Sequence, residues 1–307
     1  MRGPAVPDVT FRVGREKTFA HFTPPTVSLP MPSLLKRCFI LLSGFIAMNA
    51  SAEPFTAFGD GERLVYKVSW GIIGAGNIEI SAKAETGPDG KALMRITNTM
   101  SSRGMVRGLY RFDNNAEVLI ERDTGRMLWT AEKGTDRNKP TESRTDFDYP
   151  AGVAHHKDTY RPNRDTDIPL KPGEEPMDLL SALVQTRNWN IKVGDARDVL
   201  VHFGREFFPV TIHAEGIEEV DTPLGDFKAL MLCPRMEKEP PRGIFKRGGE
   251  IKVWIAQSGA HLPVKMQLKL GFGSATLTLI EHTPPKSPQP TATAAPAAPA
   301  TASDKKS

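Results

Sequence analysis

Leu64-Val65-Tyr66-Lys67-Val68-Ser69-Trp70-Gly71 carries its apolar side chains at every second position. Side chains alternate across an extended strand with a period of two, so Leu64, Tyr66, Val68 and Trp70 share one face and Val65, Lys67 and Ser69 the other. The rhythm returns where Ile78, Ile80, Ala82 and Ala84 interleave with Asn77, Glu79, Ser81 and Lys83. It returns again where Leu262, Val264, Met266, Leu268 and Leu270 interleave with Pro263, Lys265, Gln267 and Lys269. Strands with one dry and one wet face belong to antiparallel sheets. Turn chemistry separates them: Pro88-Asp89-Gly90, Asp123-Thr124-Gly125, and Gly204-Arg205, whose leading glycine suits a two-residue hairpin. The expected count is about a dozen strands, mostly antiparallel neighbours.

Gly71, Gly74 and Gly76 superficially resemble a phosphate-cradling loop. That mechanism needs a helix N-terminus directly afterwards, and Asn77-Ile78-Glu79-Ile80 continues as strand, so a tight hairpin or bulge is expected instead. One segment departs from the strand rhythm. Met177, Leu179, Leu180, Leu183 and Val184 fall at helical spacing behind Glu174-Glu175-Pro176, where acids and proline favour a helix start. The spacing predicts a helix over roughly 176–189, packed on the sheet over an open edge or mouth. The expected fold is mainly β: a strongly curved antiparallel sheet or incomplete β-barrel with one covering helix.

The ends read differently. Lys36-Arg37, the apolar run Cys38–Met48 and the small residues Ala50-Ser51-Ala52 form, in order, the three parts of a secretory signal. Residues 31–52 are therefore read as a signal peptide cleaved between Ala52 and Glu53, and residues 1–30 as a stretch upstream of the true start at Met31. The apolar run is shorter than the about 20 residues of a membrane-spanning helix, and no later run reaches that length, so no span is expected in the mature chain. Residues 53–282 are expected to form a single β-rich domain and residues 283–307, rich in Pro, Ala, Thr and Ser, a disordered tail. The location implied is the periplasm.

The whole chain holds 40 basic and 36 acidic residues, but six of the basic and two of the acidic ones precede Glu53, which leaves 34 of each. Balanced charge offers no electrostatic footprint for nucleic acid. Cys38 lies in the signal and Cys233 remains alone, so no intramolecular disulfide is expected. Cys233, in Ala229-Leu230-Met231-Leu232-Cys233, reads as a buried structural thiol. His155-His156 point to opposite faces of a strand, and no metal-ligand spacing such as His-x-x-x-His or Cys-x-x-Cys occurs in the mature chain. No Gly-x-Ser-x-Gly elbow accompanies a base. Acid pairs such as Glu218-Glu219 and Asp146 with Asp148 read as the wet faces of strands. No cofactor, metal or catalytic residue is expected. The most suggestive local cluster is Arg103, Arg107 and Arg111, interleaved with Met105, Val106, Leu109, Tyr110 and Phe112. These guanidinium groups are candidates for anionic-headgroup contacts beside an apolar lip, or else a loop whose arginines face water.

Three blocks in order carry a family resemblance: Leu64–Gly71 with Gly74-Ala75-Gly76; Met177-Asp178-Leu179-Leu180-Ser181-Ala182-Leu183 running to Lys192-Val193-Gly194-Asp195; and Thr222–Phe227 followed by Val253-Trp254-Ile255 and Leu262-Pro263-Val264. Over about residues 58–281 the chain resembles the bacterial domain of unknown function 3108 family. The resemblance implies an exported, β-rich envelope protein and brings no catalytic residues. A turn acid commonly precedes the Leu-Pro-Val strand in that family; here Gln257-Ser258-Gly259-Ala260-His261 fills the turn.

Apolar faces on many strands must cover one another or a guest. The leading expectation is a binding or carrier module for a lipid-like or hydrophobic ligand, lined by Tyr66, Trp70, Ile78, Ile80, Val264, Met266 and Leu268. A scaffold or assembly factor with an envelope protein partner is the alternative, and an envelope hydrolase the third.

Overall fold

A computed structural model of the chain describes residues 53–271 and 273–286. The signal-peptide reading, Ala52 and most of the Pro/Ala-rich tail lie outside the described residues. Fifteen strands are present: β1 (Arg63–Trp70), β2 (Ile73–Thr86), β3 (Ala92–Ser102), β4 (Phe112–Glu121), β5 (Met127–Asp136), β6 (Lys139–Asp148), β7 (Val153–Asp158), β8 (Thr166–Pro169), β9 (Met177–Asp178), β10 (Ala196–Phe203), β11 (Glu206–Thr222), β12 (Gly225–Arg235), β13 (Glu250–Ala256), β14 (Pro263–Leu270) and β15 (Gly273–Thr283). Two short helices, α1 (Gly104–Leu109) and α2 (Leu179–Gln185), interrupt them.

All fifteen strands join one sheet, in the order β8-β7-β6-β5-β4-β3-β2-β1-β15-β14-β13-β12-β11-β10-β9. Two meanders thus meet where β1 pairs antiparallel with β15, the two ends of the described chain. Every pairing is antiparallel except that of β9 with β10. The sheet does not close, because β8 and β9 remain its two edges. The expectation of an antiparallel, incomplete barrel holds, with more strands than the sequence suggested. The glycine-rich segment is a hairpin: Trp70 pairs with Ile73 across Gly71-Ile72, and Gly71 takes φ 57°, where a side chain would be strained.

The two faces follow from register. Leu64 pairs with Ile80, Tyr66 with Ile78 and Leu279, and Val68 with Leu277, so these apolar side chains share the inner face. The outer face carries ion pairs: Arg63 bridges Glu79 (2.7 Å) and Glu281 (2.9 Å), and Arg95 bridges Glu85 and Glu117, each at 2.9 Å.

The helix predicted over 176–189 is shorter and differently placed. Met177 and Asp178 are extended and pair with Val201 and His202. Asp178 then caps α2 by accepting the Ser181 amide at 3.1 Å, which fixes the start at Leu179. A 3₁₀ turn, Thr186–Asn188, ends it. Rather than covering an edge with one apolar stripe, the segment is enclosed: Ser181, Ala182, Val184, Gln185, Thr186 and Arg187 are all buried. The N-terminal segment meets part of its polar surface, Gln185 Nε2 donating to the Pro54 carbonyl (3.3 Å) and Asn188 to the Thr56 hydroxyl (2.8 Å), while Ser181 Oγ and Gln185 Oε1 have no hydrogen-bonding partner among the described residues.

Candidate functional site

Along its inner face the sheet changes character. At one end, Leu64, Tyr66, Ile80, Met94, Ile96, Ile120 and Leu279 are all at most 1% exposed, in one cluster with Phe55, Phe58, Ala182 and Val184. Tyr66 donates its hydroxyl to the Pro263 carbonyl at 2.8 Å. Of the seven side chains expected to line a ligand, Tyr66, Ile78, Ile80, Val264 and Met266 belong to this sealed core. Trp70 and Leu268 do not. With Val68, Met100 and Leu277 they form a strip of half-buried apolar side chains at the other end of the same face. Register links the strip: Val68 pairs with Leu277, Trp70 with Ala275, and Leu268 with Ala275. Gly273 is required there, since a Cβ at that residue would lie 2.7 Å from the Trp70 indole.

The inner face turns polar across β3 to β6. Ile80 pairs with Asn98, Asn98 with Ala116, Ala116 with Glu132 and Glu132 with Ser143. Asn98 Oδ1 has no hydrogen-bonding partner among the described residues. The Glu132 carboxyl is held above the usual carboxylate range, first by desolvation and then by the charge of Asp178, although its side chain keeps accessible surface. The sequence singled out neither residue, because Thr130, Glu132 and Gly134 present no apolar period. Met94-Ile96-Asn98-Met100 does carry the period that could have found Met100.

The sealed end holds a buried ionic cluster. Arg187 Nη1 lies 2.9 Å from Glu62 Oε1, and His282 Nε2 lies 3.1 Å from the same oxygen. The Gly59 amide donates to Glu62 Oε2 at 3.1 Å. Arg187 also donates to the carbonyls of Ala57 (2.8 Å) and Ala260 (2.9 and 3.2 Å). Burial by itself would raise the Glu62 pKa; the contacts with His282, Arg187 and Gly59 outweigh it and hold the carboxyl below its ordinary value. Both carboxylate oxygens of Glu62 and all three guanidinium nitrogens of Arg187 have partners within the protein, so the cluster clamps the N-terminal segment, the turn that ends α2 and the 257–262 turn together. That turn contributes the Ala260 carbonyl.

The remaining candidates are placed as follows. Arg107 is tied down by Asp113 (2.7 and 2.9 Å), and Arg111 touches the same carboxylate at 3.3 Å. Arg103 is exposed, with no side-chain partner among the described residues. Glu53, the residue after the expected cleavage, pairs with Arg197. His155 faces outward to Asp167 (2.7 Å), while His156 is buried with Nδ1 2.9 Å from the Thr145 hydroxyl. Folding brings His202 edge-on to Phe147, with ring centroids 5.4 Å apart. Burial, then the nearby His156, lowers the His202 pKa to about 4, so it packs as a neutral ring. Cys233 is buried, its thiol pushed up to about 12 by burial and by Glu215. Among the described residues no three metal-ligating side chains gather, and no helix is long and apolar enough to cross a membrane.

A sheet this long, antiparallel almost throughout and open between two short edge strands, defines a barrel-like β domain with one end of its inner face filled. The model of the family described as "Protein of unknown function (DUF3108)" matches residues 65–280, and the chain belongs to that family. Comparison with curated proteins gives no match. Among solved structures, a β-barrel-like DUF1849 protein from Brucella abortus is similar at 9% identity and a TM-score of 0.47, over 73% of this chain and 98% of that one. A protein described as exported, with a YmcC-like fold, from Bacteroides fragilis is similar at 8% identity and a TM-score of 0.30, over 75% and 99%. A protein described as a lipoprotein from Parabacteroides distasonis follows at 11% and 0.29, over 75% and 100%.

Proposed function

We propose that this is an extracytoplasmic binding module whose inner face takes one amphiphilic, lipid-like molecule at its unfilled end. The apolar part of the ligand rests on Val68, Trp70, Leu268 and Leu277, and its polar part lies toward Asn98 and Glu132. The observation that carries this reading is the gradient along one face, from side chains fully withdrawn from water to large apolar side chains that water still reaches. Wetted apolar surface on a concave wall favours an apolar guest, at about 25 cal/mol per Å² removed from water. The signal-like order of residues 31–52 supports the location.

The test is titration of the protein with a fluorescent fatty acid. Saturable binding is expected, weakened tenfold or more by Leu268→Trp, which fills the strip, with the melting temperature shifted by no more than about 3 °C. Met266→Trp is the contrast, because its site is occupied and overpacking costs about 1–3 kcal/mol. Absence of saturable binding by the parent protein overturns the reading.

A further inference from the structure

The three most exposed large apolar side chains among the described residues are Ile72 (102%), Leu109 (87%) and Met105 (75%). They lie on two adjoining segments. Ile72 is at the tip of the β1–β2 hairpin, and α1, which carries Met105 and Leu109, follows β3, whose Ser102 pairs with Gly76 of β2. The Arg103 amide donates to the Ala75 carbonyl at 2.8 Å, fixing the start of α1 against β2. None of the six residues of α1 is buried, so the helix has no core to justify its apolar side chains. The same rim is basic. Arg103, Arg107, Arg111, Arg137 and Lys139 stand against Asp113 and Asp136. Asp113 is engaged by Arg107 and Asp136 by the Tyr110 hydroxyl (2.6 Å), while Arg103, Arg111 and Arg137 remain exposed.

We propose that this rim docks on an anionic lipid bilayer, with Ile72, Met105 and Leu109 entering the headgroup layer and the arginines meeting lipid phosphates. Apolar tips flanked by guanidinium groups match the two layers of such a surface: burial rewards the tips, and each arginine near an anionic surface strengthens binding about fivefold. A protein partner would need a groove matched to isolated tips; a fluid interface accepts them as they stand. The proposal does not depend on a ligand in the inner face, since Ile72 and α1 lie outside the strip.

The experiment is co-sedimentation of the protein with vesicles of phosphatidylcholine alone and of phosphatidylcholine with phosphatidylglycerol at three to one. Binding is expected on the anionic vesicles, falling as salt rises. Met105→Ser with Leu109→Ser is expected to weaken it tenfold or more, and Arg103→Glu at least fivefold on anionic vesicles only. Leu268→Trp, which blocks the inner strip, is expected to leave sedimentation unchanged, separating this surface from the ligand site. No binding to anionic vesicles, or equal binding by parent and variants, overturns the proposal. So does light scattering that shows a dimer which Met105→Ser with Leu109→Ser converts to monomer, because a second copy is then the occupant. Circular dichroism melts of the variants matching the parent exclude misfolding as the cause of lost binding.

Discussion

The sealed end around Glu62 and the rim around Ile72 belong to the same sheet, yet they resolve their exposed chemistry in opposite ways. At the sealed end a carboxylate, a guanidinium and an imidazole are withdrawn from water and satisfied by one another and by backbone. At the rim, apolar side chains stand in water with none of the described residues over them. The difference shows where stability is concentrated and where it is not: a buried charge must be matched within the fold, whereas an exposed leucine costs the folded state little.

The largest expected effect lies in the ionic cluster. Arg187→Met leaves Glu62 buried without its guanidinium and is expected to destabilise by about 3–5 kcal/mol, read from denaturant unfolding. Adding Glu62→Gln should recover part of that loss. If Arg187→Met unfolds like the parent, the sealed end is not a clamp.

Next come core truncations. Leu64→Ala is expected to cost about 2–5 kcal/mol, and Leu268→Ala, already half wet, less than half as much. Equal costs at the two positions would mean that the inner face is uniformly filled and the gradient is absent.

The third effect depends on pH. Glu62 has a folded pKa below its ordinary 4.5, so its contribution to stability is present above that value and lost as pH falls through the folded pKa. Thermal melts from pH 7 to pH 3 should show a steeper acid decline for the parent than for Glu62→Gln. Parallel declines would remove Glu62 from the explanation.

The smallest effects are at the peripheries. Leu109→Ser is expected to change stability by no more than about 0.5 kcal/mol, since no contact is lost. At the other extremity, the Lys286 amide donates to the Asp60 carbonyl at 2.9 Å, and Pro285 packs on Gly59. Truncation after Thr283 should therefore cost about 1 kcal/mol, the sum of that backbone hydrogen bond, its packing and the exposed Lys286–Asp60 ion pair (3.1 Å). Truncation after Lys286, which removes only the Pro/Ala-rich remainder, should cost nothing measurable by calorimetry. An equal loss from both would extend the packed region past Lys286.

Much of the sheet was legible because period-two alternation is a local property. Leu64 to Trp70 and Val264 to Leu270 announce their faces without knowledge of their partners, and Gly71 and Gly204 announce hairpins by their tolerance of positive φ. The candidate site was legible only in part. Tyr66 and Trp70 sit two positions apart from Val68 on one face and look alike in the chain, but the N-terminal segment and α2 cover the first and leave the last half wet. Arg187 reads as a solvated residue at a helix end, and nothing nearby reveals that Glu62, 125 positions earlier, awaits it.

From the sequence alone came the antiparallel class of the sheet, the two sides of β1, β2 and β14, the position of four hairpins and the balance of charge after residue 52. These follow from neighbours within a few residues, where side-chain direction and backbone freedom are decided. The pairing of β1 with β15, the enclosure of α2, the Glu62–Arg187–His282 clamp and the boundary between filled and wetted inner face were decided by the tertiary structure. Each depends on which distant segment arrives to exclude water, and water exclusion is a property of the assembled fold that no local pattern encodes.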